Sequence, residues 1–164
     1  MNTADSLVQA EDALNDGDLH RARRLLKSLI DVGHPDALYL SAHFGDRELT
    51  TEFEARRVRI LQALVQQGHP RACYAMARHY EIGDLVQQDG EASAALDRKA
   101  AEAGHGAATL AHGLNCYYGS NGIARDREVG VRLIEAAIQG GVEGAEEKMR
   151  DIQRLESSTQ DDRS

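Results

Sequence analysis

Gly33, Gly68, Gly104 and Gly141 stand 35, 36 and 37 residues apart. A residue without a side chain that returns at so nearly constant an interval confines the chain to a stack of similar units. The spacing carries more than glycine. Four residues after each glycine stands an alanine, Ala37, Ala72, Ala108 and Ala145, and nine after the first three stand Ala42, Ala77 and Gly113. Side chains that small are what close helix-to-helix approach requires. Fifteen residues before three of the glycines stand Asp18, Asp89 and Asp126. The second unit has Phe53 there, and Thr51-x-x-Glu54 supplies a capping box nearby.

These positions translate into local structure. Aspartate accepts hydrogen bonds from the free amides of a helix's first turn, and glycine takes the left-handed conformation that closes the last. Each aspartate-to-glycine interval is therefore one helix. Pro35 and Pro70 follow their glycines at positions where a first-turn proline loses no hydrogen bond, so a second helix opens there. Helices are expected near 4–15, 18–31, 35–44, 51–66, 70–81, 90–103, 107–118, 126–139 and 143–156. Asn121-Gly122 marks a turn in one connecting loop. The fold class is all-α: an α-solenoid, a right-handed superhelix of antiparallel helix pairs with about three full repeats plus terminal capping helices. One domain is expected over 1–156, with repeats near 33–67, 68–103 and 104–140, half-repeats at 1–32 and 141–156, and a disordered tail at 157–164.

Charge narrows the partners. The net charge is −8, from 19 Lys plus Arg against 27 Asp plus Glu, and a field of that sign repels phosphate backbones. That argues against nucleic acid. Arg21, Arg23, Arg24 and Lys27 form one basic cluster and Arg56, Arg57 and Arg59 another, both read as solvated helix faces. No apolar run is long enough for a membrane span and no basic leader opens the sequence, so the expected setting is cytoplasmic, without a membrane partner. Cys73 and Cys116 lack paired spacing and read as small buried hydrophobes.

The pattern G-x-P-x-A-x-Y-x-x-A at 68–77, with Tyr80 and Gly83, and D-x(9)-K-A-A-E-x-G at 89–104 resembles the Sel-one-like repeat (SLR) family, a relative of the tetratricopeptide repeat. The resemblance covers roughly 18–156. Leu25, Ile60, Leu96 and Leu133 stand where that family commonly has tryptophan, and Leu110 and Cys116 where it usually has aromatics. It implies a non-enzymatic adaptor that holds other proteins, in settings that include signalling, secretion and bacterial toxin immunity. An acidic scaffold would suit a basic toxin or effector.

Catalytic and metal motifs are missing from the sequence. There is no H-E-x-x-H, P-loop, G-x-S-x-G or dinucleotide turn, so no cofactor, metal site or catalytic residue is assigned. His34, His69 and His105 sit beside the turn glycines, too far apart in successive repeats to share one ion, and a turn-capping role is expected. What remains is a binding surface on the concave side, formed by the first helix of each pair. The partner-binding residues expected there are Leu40, His43, Phe44, Arg71, Arg78, His79, Asn115 and Tyr118. Two alternatives stay open: a hydrolase-like or small-ligand site using His79 with Glu81 or Asp84, and self-association through Leu40, Phe44 and Phe53, the chain being a monomer or weak homodimer.

Overall fold

The computed structural model describes residues 2–45 and 50–161, the last four by backbone alone. Its helices are α1 (Thr3–Asn15), α2 (Leu19–Asp31), α3 (Pro35–Ser41), α4 (Thr50–Gln66), α5 (Pro70–Ile82), α6 (Gly90–Glu102), α7 (Gly106–Tyr118), α8 (Arg127–Gln139) and α9 (Ala145–Asp161). No strand occurs among the described residues. The chain is an all-α repeat fold.

The four period glycines do one job. Their φ values are +75°, +77°, +85° and +70° in chain order. At each, the glycine N–H and the next N–H turn back into the helix that is ending: Gly33 to Ile30 at 2.9 Å and His34 to Leu29 at 2.8 Å, Gly104 to Ala101 and His105 to Ala100 both at 2.9 Å. This is the Schellman closure, which satisfies carbonyls that the helix end would otherwise leave unpaired. At the other ends Asp18, Asp89 and Asp126 accept from the backbone N–H of Arg21, Ala92 and Val129 at 2.9, 2.9 and 3.0 Å. Every aspartate cap that the repeat implied is therefore made.

Two helix ends differ from expectation by more than two residues, and one expected cap falls inside its helix. α3 stops at Ser41 rather than 44: the backbone goes on in tighter turns, with His43 N–H donating to Leu40 and Phe44 N–H to Ser41 at 3.1 and 3.0 Å, and the Arg56 guanidinium donates to the carbonyls of Ser41, at 3.2 Å, and Phe44. Thr51 lies inside α4, so it cannot cap it; the residues before Thr50 lie outside the described residues. α9 runs to Asp161, through the first part of the tail expected from 157; residues 162–164 lie outside the description.

The chain divides into two compact units, residues 1–72 and 73–164. In the first, the core is Ala10, Ala13, Ala22, Leu26, Ala37, Leu40 and Phe44. In the second, Tyr117, Ile134 and Ile152 form a cluster with Leu110, Leu114, Val131 and Met149 packed around it. Small residues set its spacing. A methyl group at Gly130 would come within 2.6 Å of Tyr117 Cβ and N, and one at Gly113 within 3.1 Å of the Gly130 carbonyl, so α7 and α8 meet almost backbone to backbone.

Candidate functional site

Counting from the period glycine separates two stripes on the first helix of each pair. The alanines at offset four are fully buried, and three and seven residues further on the same face comes round again. Leu40 at offset seven is 3% exposed, and Phe44, His79 and Asn115 at offset eleven are 6%, 7% and 9% exposed. These four expected partner contacts are therefore interior groups. His79 and Asn115 instead anchor the turn that follows them, and Phe44 packs against α2. His79 Nδ1 meets Asp84 Oδ1 at 2.7 Å, Asn115 Oδ1 accepts from Ser120 Oγ at 2.8 Å and Asn121 Nδ2 at 3.0 Å, and Phe44 lies beneath the Arg23 guanidinium. Asn121 and Gly122 both have positive φ, 54° and 76°, which makes the expected turn.

The other stripe, at offsets three, six and ten, is partly open to solvent: Asp36, Tyr39 and His43; Arg71, Tyr74 and Arg78; Ala107, Leu110 and Leu114. In the first unit it lines a groove of about 270 Å³ that brings together Leu40, His43 and Arg71 with Glu11 and Tyr39. Arg71 lies 4.5 Å from the centre of the Tyr39 ring and donates from both terminal nitrogens to the Glu11 carboxylate. Burial disfavours its charge, but Glu11 more than offsets this and holds the guanidinium protonated. His43 packs edge-on to Tyr39 at 5.4 Å. Burial, then the nearby Arg57 and Arg71, hold its pKa below the ordinary histidine value.

The second unit repeats the device with different supports. Arg78 lies 5.1 Å from the Tyr74 ring and donates to Glu81 and to Asp97. Asp97 is 1% exposed and its Oδ1 has no partner. Burial pushes its carboxyl up to about 6 despite the pull of Arg78. Further along, Leu114 and Tyr118 of α7 and Lys148, Arg154 and Leu155 of α9 line an apolar groove of about 600 Å³, with Tyr118 47% and Leu155 56% exposed.

His69, His105 and the two cysteines serve structure. His69 Nδ1 accepts from Ala72 N at 3.2 Å, which leaves Nε2 to donate to Asp36 Oδ1 at 3.0 Å. His105 Nδ1 accepts likewise from Ala108 N at 3.3 Å. His34 makes no side-chain cap. The capping role expected of the three thus holds at two. Tyr39 stacks on His69 and Tyr74 on His105, at 5.5 and 4.6 Å between ring centres. Burial raises the pKa of both Cys73 and Cys116, keeping them as thiols rather than nucleophiles. His79 pairs with Asp84 as a hydrolytic dyad would, while its Nε2 is shut away from solvent without a hydrogen-bond partner.

No family model and no curated protein sequence matches the chain. Solved structures do. A Sel1 repeat protein from Oxalobacter formigenes superposes with a TM-score of 0.67 at 28% identity, over 79% of this chain and 98% of its own. The protein c5321, a protective antigen of uropathogenic Escherichia coli strains that displays an SLR fold, superposes with a TM-score of 0.65 at 22% identity, over 78% of this chain and 27% of its own length. The chain is an SLR-like helical repeat protein. Tyr39 and Tyr74 stand at the same place in successive repeats, half-buried rather than in the core. They belong to the repeat pattern, yet they stand one turn from offsets three and ten and carry the arginines. Glu11 and Asp97, the carboxylates that pin those arginines, lie outside the pattern. Within the SLR-like chain only the separation of buried from half-buried offsets points to them. No helix among its described residues is long and apolar enough to cross a membrane.

Proposed function

We propose that this SLR-like protein is a non-enzymatic scaffold that holds a protein partner along the offset three, six and ten stripe of its first helices. One observation carries the reading. In each unit an arginine is laid on the repeat tyrosine and pinned there by a carboxylate, Arg71 by Glu11 and Arg78 by Asp97, while staying partly open to solvent. Arginine and tyrosine supply most of the energy in protein interfaces, and a side chain already held in one conformation loses less entropy on binding. Surfaces that serve only solubility are built from mobile lysine and glutamate, and this stripe is not. The net charge of −8 favours a basic partner. A toxin or effector neutralised by its immunity protein is one such partner, and the expected setting is cytoplasmic.

Affinity capture with the full chain, followed by binding measurements on the recovered partner, tests this. His43→Ala and Tyr118→Ala alter exposed side chains, and Arg71→Ala removes the pinned guanidinium. A partner that binds all three variants as tightly as the wild type would place the interface elsewhere and end the reading.

A further inference from the structure

A separate feature lies on α2. His20, Arg23, Arg24, Lys27 and Asp31 follow one another at helical spacing along one face, turned away from the buried Ala22 and Leu26. That face lines a groove of about 460 Å³ whose floor is Ile30 and the edge of Phe44. Arg24 is exposed and has no ion pair among the described residues. Lys27 pairs at 3.0 Å with Asp31, both largely exposed, a contact that exchanges readily for a better anion. In a chain of net charge −8 this is a local concentration of cations over an apolar floor.

The occupant must match both halves. A nucleic acid carries a charge on every nucleotide, so it meets stronger long-range repulsion from the rest of the molecule than a few carboxylates do, and it finds no exposed ring to stack on, because Phe44 is 6% exposed. A bilayer needs apolar groups that protrude, whereas here they are recessed beneath the cations. A short peptide with a few carboxylates and one apolar side chain fits both the rim and the floor. The cations from Arg23 to Lys27 span about 6 Å of helix, the reach of two residues of an extended segment.

We propose that the α2 groove is a docking site for an acidic segment of a partner protein, whose carboxylates pair with Arg24 and Lys27 while an apolar side chain seats against Ile30 and Phe44. The site is independent of the stripe on the first helices. The test is fluorescence anisotropy of the full chain with a fluorescein-labelled peptide of repeated Asp-Glu-Leu-Glu units. Saturable binding is expected, weakened by about tenfold or more in the double variant Arg24→Glu with Lys27→Glu. Both side chains are exposed, so circular dichroism and melting temperature should match the wild type. Arg132→Ala, an exposed arginine on neither surface, should bind the peptide unchanged. The proposal is overturned by absence of binding, by equal binding to the double variant, by equal binding of a peptide with serine in place of leucine, or by tighter binding of oligothymidylate or phosphatidylserine vesicles.

Discussion

Asp97 shows how one buried carboxylate sets a pH response. Its folded pKa is raised to about 6 by burial against an ordinary value of 3.8, so the folded state binds the proton more tightly than the unfolded state does. Between those two values the folded chain holds more protons, and stability falls as pH rises through that window. Asp97→Asn removes the charge that burial penalises. Thermal melts from pH 4 to pH 7 should show the wild type losing ground to the variant as pH increases, by on the order of 2 kcal/mol. A carbon-detected titration should place the Asp97 midpoint well above that of the exposed aspartates; a midpoint below 4.5 would contradict the buried environment. Arg71 offers a second residue-scale check. Glu11→Gln leaves its ring contact with Tyr39 but removes the pinning charge, so partner affinity should drop while the fold persists, and unchanged affinity would show that the pinning does not matter.

At the scale of the helix, caps and crossings fail differently. Asp89→Ala deletes the acceptor for the Ala92 amide at the start of α6 and should cost about 1 kcal/mol by chemical denaturation. Gly104→Ala meets no neighbouring atom within 4 Å, so its cost is conformational alone, about 1 kcal/mol for a φ of +85°. Gly130→Ala is another matter. Its methyl would fall 2.6 Å from the Tyr117 backbone nitrogen, contact with backbone that no rotamer change relieves, and α7 and α8 must separate at about 3 kcal/mol. Denaturation midpoints that ranked Gly104→Ala as the more damaging change would refute the account of which glycines turn the chain and which let it pack.

At the scale of the whole molecule, the units at 1–72 and 73–164 each hold their own buried clusters, and repeat proteins gain stability unit by unit. Hydrogen exchange on Ile134→Ala, which empties a fully buried site, should lose protection in α7 to α9 and keep it in α1 and α2. Uniform loss along the chain would show one cooperative body instead. The period glycines, capping aspartates and small residues were legible without coordinates because each acts through its own backbone, where residue type and local conformation are tied directly. The candidate site was legible only in part: His43, Arg71, Arg78 and Tyr118 stand partly or wholly open, whereas Leu40, Phe44, His79 and Asn115 turned out to be interior. A one-residue error in choosing the outward face turns a helix stripe by about 100°, enough to carry it into the core, and the period of 3.6 alone does not say which side its neighbours cover. The sequence by itself determined the helices, their ends and their repeat, since those rest on contacts a few residues apart. Only the tertiary structure decided which stripe stays wet, that Glu11 reaches Arg71 across 60 positions and that Asp97 lies buried behind Arg78, because those depend on surfaces that meet only once the helices have packed.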